Sequence, residues 1–155
     1  MDMRTTIRGL ALVAIVGGIA RIGMTPTSLI WGTNSMPELI FGMAACLLMT
    51  VGLFGVYLHQ AHKVGIVGLL SVMLMTFSSV LTGCLVYSTM LGIDNQEGML
   101  LPINSLIMLV GMVGFAVVTF RARLFPAWPM VLYLLFPIVS FVPILSNWAT
   151  VLWGL

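Results

Sequence analysis

Charged residues are scarce in this sequence. Of its 155 residues, six are Lys or Arg and four are Asp or Glu, so that charged side chains make up 6%. A soluble domain carries about 25%. Ten charges cannot cover a globule with polar groups, and 61% of the residues are hydrophobic. The composition therefore excludes an ordinary soluble domain and predicts an all-α integral membrane protein, with residues 1–155 forming one domain.

Motifs for catalysis, metal binding and nucleic-acid binding are also missing. The sequence has no nucleophile elbow, P-loop, zinc-protease motif or C-x-x-C pair. His59 and His62 lack a third ligand, and Lys63 beside them repels a cation. A net charge of +2 without a basic run does not suit nucleic acid. We expect no enzymatic activity, no cofactor, no metal site and no nucleic-acid partner. The cysteines, Cys46 and Cys84, are expected to be small buried apolar residues.

Long apolar segments are what the sequence has in abundance. A membrane-spanning helix needs about 20 mostly apolar residues. Five segments meet this requirement, namely residues 5–24, 37–58, 64–91, 99–120 and 129–153. The connections between them contain Gly, Pro, Asn or charged residues. The pattern predicts a bundle of five transmembrane helices, in which the prolines of the last segment kink that helix or turn it into a re-entrant segment.

The basic residues predict the orientation of this bundle. With five spans, Arg4, Arg8, Lys63, Arg121 and Arg123 all lie on one side of the membrane, while Asp94 and Glu97 lie on the other. Cytoplasmic loops are enriched in Lys and Arg. We therefore expect the amino terminus inside and the carboxyl terminus outside, in a multi-pass protein of the plasma membrane.

A line of hydroxyl side chains follows the third predicted span. Ser71, Ser78, Thr82 and Thr89 are separated by 7, 4 and 7 residues. At about 100° per residue they fall within roughly 20° of one line. This polar stripe is expected to face protein, where hydroxyls bond to neighbouring helices or to their own helix. It is either ordinary helix packing or one wall of a polar path.

Arg21 follows twelve uncharged residues, 9–20, within the first apolar segment. It lies about 20 Å along the first helix from Arg8, within a hydrocarbon core about 30 Å thick. Arginine near a helix end can extend its side chain to the membrane surface. The alternative is a partner, and Glu38 is the candidate because it opens the second helix at the same side. Glu38 also belongs to the capping-box sequence Ser35-Met-Pro-Glu38. We expect Arg21 and Glu38 to share a polar network.

These residues predict a polar pocket in the outer leaflet. Tyr87, Thr89, Asn104 and Asn147 are expected at the level of Arg21 and Glu38. A charged residue within a membrane span is a functional-site hypothesis by default, and a guanidinium suits a carboxylate or phosphate. We expect a non-enzymatic membrane protein that binds a lipid or small amphiphile there, or that serves as an accessory subunit of a membrane complex. The alternative is a small-solute or ion transporter or channel that works as an oligomer.

Overall fold

The described part of the chain is almost entirely helical. The computed structural model describes residues 3–93, 98–140 and 154. Within these ranges there are four helices and no strand: α1 (Met3–Trp31), α2 (Met36–Met90), α3 (Leu100–Ala122) and α4 (Ala127–Ser140). The prediction of an all-α fold is confirmed, whereas the predicted count of five helices is not supported.

The first helix is longer than predicted. It was expected to end at residue 24, but α1 continues through Pro26 to Trp31. Proline removes one backbone donor, which membrane helices tolerate when nearby hydroxyls supply other bonds. The Thr27 Oγ1 donates to the next carbonyl oxygens along, those of Gly23 and Met24, at 2.9 Å each. The helix continues past Pro26 without the backbone hydrogen bond to the Ile22 carbonyl.

The second and third predicted spans form one element. The predicted loop at residues 59–63 is helical and lies inside the 55-residue α2. The only non-helical backbone within α2 is that of Gly65, with φ 55° and ψ −149°. The chain folds back there, because Gly83 approaches Cys46 closely enough for a Cβ to lie 3.8 Å from the Cys46 Cβ. In a straight helix these residues would be about 55 Å apart. Residues 36–64 and 66–90 are thus two antiparallel halves joined at a single glycine.

Close backbone approach holds α1 against the first half of α2. A Cβ at Gly52 would lie 2.6 Å from the Ala14 Cα, and one at Gly55 would lie 2.5 Å from the Leu10 Cβ. Small residues permit such contact between membrane helices, where lipid supplies no hydrophobic drive. Because residue numbers rise along α1 as they fall along α2, the two helices are antiparallel.

The apolar core lies between the second half of α2 and α3. It consists of Val72, Met75, Met108, Met112 and Phe115, all of which are buried. Tyr57 and Tyr133, from the first half of α2 and from α4, pack against this cluster. The core therefore joins α2, α3 and α4.

Three of the helices could cross a membrane by length and composition, namely Arg4–Trp31, Met36–Met90 and Leu100–Ala122. This supports the predicted membrane class. The fifth predicted span lies partly in α4 and largely outside the described residues, so its kink stays a prediction. So does the orientation in the membrane.

Five basic residues lie at one end of the bundle. The Lys63 Nζ donates a hydrogen bond to the Ala122 carbonyl oxygen at 3.3 Å. Ala122 lies between Arg121 and Arg123 in the sequence, so Lys63 is near both arginines. Leu10 packs against Gly55, so Arg4 and Arg8 lie near the same end. We call this the basic end.

Candidate functional site

Arg21 lies in the interior third of α1. It is ten residues before Trp31, about 15 Å along the helix axis, and about 25 Å from Arg4. The side chain is half-buried. Its Nη1 donates to the Met24 Sδ at 3.5 Å. Because α1 extends to Trp31, Arg21 is farther from the end of its helix than the single turn that was predicted.

Two buried hydroxyl residues share the face of α1 that carries Arg21. Thr25 and Ser28 follow it at four and seven residues, which at about 100° per residue confines the three to an arc of about 60°. Thr25 is 4% exposed and Ser28 is 6% exposed. Among the described residues, the buried Ser28 Oγ has no hydrogen-bond partner. We call Arg21, Thr25 and Ser28 the arginine face.

The arginine face points between two groups packed on α1. On one side α2 contacts the helix, where a Cβ at Gly42 would lie 3.1 Å from the Met24 Cε. On the other side Gly154 lies against Gly18 and Ile22. Viewed along the axis of α1, the arginine face lies between Met24 on one side and Gly18 on the other. The face is therefore directed into the bundle.

Glu38 lies in the first turn of α2. Its Oε2 accepts a hydrogen bond of 2.7 Å from the Asn34 backbone N–H. The predicted capping box is not formed, because the Ser35 side chain makes no capping hydrogen bond and the Ser35 backbone N–H bonds to the Gly32 carbonyl oxygen instead of to Glu38. Glu38 and Cys46 are both within electrostatic range of the Arg21 guanidinium. Glu38 thus supports the start of its helix, and its sharing of a network with Arg21 stays a prediction.

Asn104 belongs to a different cluster from Arg21. It lies on α3, and its Oδ1 accepts a hydrogen bond of 2.7 Å from the Ser78 Oγ. The Asn104 Nδ2 donates to the Thr82 Oγ1 at 2.8 Å. Thr82 in turn donates to the Ser78 carbonyl oxygen at 2.9 Å. This closed set of bonds joins α2 to α3 and satisfies the amide of a buried asparagine.

The predicted hydroxyl stripe faces α3 over most of its length. Ser71 donates to the Val67 carbonyl of its own helix at 2.9 Å, and a Cβ at Gly114 would lie 2.5 Å from the Ser71 Oγ. Between Ser71 and Ser78 the same interface contains Met75, which is 0% exposed. Apolar core thus separates the hydroxyls of the stripe.

The remaining predicted site residues are dispersed. Tyr87 is 51% exposed near the end of α2, and the Thr89 Oγ1 donates to the Leu85 carbonyl at 3.0 Å. Asn147 lies outside the described residues. The described contacts do not bring Tyr87 or Thr89 to the arginine face.

Two members of the arginine face were missed from the sequence. Thr25 and Ser28 both lie beyond residue 24, the predicted end of the first span. Their spacing from Arg21 was a usable signal, since i, i+4 and i+7 describe one helical face.

A buried amide at the basic end was also missed. Gln60 is 0% exposed, and its Nε2 donates to the Thr119 Oγ1 at 2.8 Å. The Gln60 Oε1 has no hydrogen-bond partner in the described part of the chain. Gln60 lies in the connection predicted between the second and third spans, whereas the structure places it between α2 and α3.

Comparison with known proteins gives no family for this chain. No protein-family model matches it, and neither the curated proteins nor the solved structures contain a match. The functional argument therefore depends on the residues and contacts described above.

Proposed function

We propose that this chain is a non-enzymatic, multi-pass protein of the plasma membrane that binds a lipid or small amphiphile through the arginine face. The observation that carries the proposal is the alignment of Arg21 with buried Thr25 and Ser28 on one side of α1. A half-buried guanidinium so far from either helix end is costly to keep unless it serves a purpose.

Chemistry at the arginine face favours an anionic ligand group. A guanidinium offers five N–H donors in a fixed plane that suits a carboxylate or a phosphate. The Ser28 hydroxyl adds a donor, and its lack of a partner among the described residues leaves it available. A buried hydroxyl without a partner costs about 1–3 kcal/mol, which a bound oxygen would recover. We infer a carboxylate or phosphate as the ligand's polar group.

An apolar tail is the second part of the inferred ligand. Many large apolar side chains on the described helices are exposed, and Leu29 and Trp31 on α1 are 59% and 60% exposed. At about 100° per residue, these two residues border the arginine face, about 80° from Arg21 on either side. A tail can therefore follow the apolar surface of α1 while the polar group binds inside the bundle, which is the arrangement that an amphiphile requires.

Transport is less well supported than binding. The hydroxyl stripe was the main reason to consider a path through the bundle. Ser78, Thr82 and Asn104 satisfy one another, and fully buried Met75 separates them from Ser71. These contacts favour helix packing as the role of the stripe.

Purification in a mild detergent with mass analysis of the bound species tests the proposal. We expect one anionic amphiphile to copurify in fixed ratio with the protein and to be lost from Arg21→Gln. Arg8→Gln is the matched control and should retain it. A second membrane protein in fixed ratio would instead support an accessory subunit. Solute flux in reconstituted vesicles that Arg21→Gln abolishes would support a transporter. Either result would replace the binding proposal.

A further inference from the structure

The basic end contains a compact group of three cations from distant parts of the sequence. Lys63 of α2 bonds to the Ala122 carbonyl at 3.3 Å. Arg121 and Arg123 flank Ala122 in α3 and at its end. All three basic side chains are exposed. We call Lys63, Arg121 and Arg123 the basic cluster.

Backbone geometry directs the basic cluster away from the core. Arg123 ends α3 in the left-handed conformation, with φ 51° and ψ 32°. The chain therefore changes direction at Arg123. Lys63 donates a hydrogen bond to the Ala122 carbonyl oxygen, near the negative end of the helix dipole. This acceptor is therefore already bonded and does not hold either arginine. Arg121 and Arg123 remain available to an external anion.

The surroundings of the basic cluster contain no opposing acid in the described part of the chain. Glu38 is the single described acidic residue, and it lies in the first turn of α2, at the opposite end of the bundle from the basic cluster. His62 is exposed next to Lys63, and Arg8 of α1 adds a further positive charge at this end. The local potential is therefore positive.

Aromatic side chains place the basic cluster at the level of lipid head groups. Phe120 is 61% exposed and Trp128 is 60% exposed, on either side of Arg121 and Arg123 in the sequence. The Phe125 ring packs against His59, with ring centroids 5.6 Å apart. Exposed aromatic residues next to basic residues are typical of the boundary between hydrocarbon and head groups.

We propose that the basic cluster is a binding site for the phosphate groups of anionic phospholipids in the leaflet that it faces. This site lies at the opposite end of the bundle from Glu38, and it does not depend on the arginine face. Its partner is the lipid surface, because exposed basic residues attract anionic lipids by about 1 kcal/mol each. This proposal goes beyond the rule that basic residues face the cytoplasm, because it assigns the binding of anionic lipid to these particular arginines.

The test compares two double variants that remove the same charge from the same end. Full-length protein is equilibrated with mixed phosphatidylglycerol and phosphatidylcholine, and bound lipids are counted by native mass spectrometry. Arg121→Gln with Arg123→Gln should bind phosphatidylglycerol more than about a hundredfold more weakly, because it loses both the general attraction of two charges and their hydrogen bonds to the phosphate. Arg4→Gln with Arg8→Gln loses only the general attraction, so its affinity should fall by at most about thirtyfold. Equal losses in both variants would overturn the site, as would a wild-type protein without preference for phosphatidylglycerol.

Two further measurements keep the result interpretable. The thermal midpoint in phosphatidylcholine should be the same for both variants, because Lys63 and its bond to Ala122 are retained. Inorganic phosphate, compared with chloride at equal ionic strength, should not displace phosphatidylglycerol. Displacement specific to phosphate would show a site for the soluble ion and would overturn the assignment to a lipid surface.

Discussion

Gln60 and Thr119 form a hydrogen bond of 2.8 Å between side chains that are 0% and 1% exposed. The bond joins α2 to α3 just before α2 turns at Gly65. Only the amide nitrogen of Gln60 is satisfied, since the Oε1 has no partner in the described part of the chain. The pair therefore combines one good hydrogen bond with one costly buried oxygen.

The two partners should respond differently to substitution. Thr119→Val leaves the whole Gln60 amide buried without a partner, and we expect it to lower the free energy of unfolding by about 1–3 kcal/mol. Gln60→Met removes the amide and keeps its length, so its cost should be below about 1 kcal/mol. Reversible unfolding in mixed micelles measures both values. A larger cost for Gln60→Met than for Thr119→Val would show that the Oε1 has a partner.

Gly65 should not tolerate a side chain. Its φ of 55° with ψ of −149° belongs to a region that only glycine adopts easily. We expect Gly65→Ala to cost about 1–3 kcal/mol of stability, although a Cβ there would have no neighbour within 4 Å. Gly9→Ala is the control, because Gly9 is helical with equally open space. It should be neutral or slightly stabilising, and equal effects at the two sites would contradict the turn at Gly65.

Gly52 makes the closest approach of α2 to the backbone of α1. A Cβ there would lie 2.6 Å from the Ala14 Cα, whereas a Cβ at Gly83 would lie 3.8 Å from the Cys46 Cβ. We expect Gly52→Ala to lower stability by about 1–3 kcal/mol through overpacking. Gly83→Ala should be tolerated, since its new contact is an ordinary one. Thermal unfolding of the two variants in the same detergent decides the matter, and a harmless Gly52→Ala would refute the described packing of α1.

Arg21 and Glu38 should be coupled in stability. Arg21 is half-buried and Glu38 acts on it electrostatically, so we expect a coupling free energy of about 1 kcal/mol. The measurement is a double-mutant cycle with Arg21→Met and Glu38→Gln. If the two effects simply add, Glu38 serves only the start of α2 through Asn34, and the predicted network is wrong.

The presence of the helices could be predicted from composition, but the residues at which they begin and end could not. Apolar segments of sufficient length indicated the helices that the structure describes. The first span was predicted to end at residue 24, but α1 continues through Pro26 to Trp31. The polar residues 59–63 indicated a loop, although Gln60 and Lys63 bond to α3. At residues 59–63, tertiary hydrogen bonds outweighed the usual sequence signal.

The central residue of the candidate site could be predicted from the sequence, but the residues that surround it could not. Arg21 was identified from charge alone, because an isolated charge in an apolar segment requires an explanation. Asn104 was grouped with Arg21 by its level in the membrane, yet it bonds to Ser78 and Thr82. Level along a span is readable from sequence, whereas the neighbours of each helix face depend on how the helices pack. Ser28 was missed for a different reason, because it lies beyond the predicted end of the first span at residue 24.

The most direct test of the central claim measures whether Arg21 selects an anionic amphiphile. Binding of oleate and of its uncharged methyl ester to the full-length protein in a neutral detergent is compared for wild type, Arg21→Gln and Arg8→Gln. We predict that wild type prefers oleate, and that Arg21→Gln weakens oleate binding by at least about tenfold, since a hydrogen bond to a charged group contributes about 1.5–3 kcal/mol. Arg8→Gln and the binding of the ester should be unchanged. Oleate binding that Arg21→Gln leaves intact, or that Arg8→Gln weakens equally, would contradict the arginine face as the binding site.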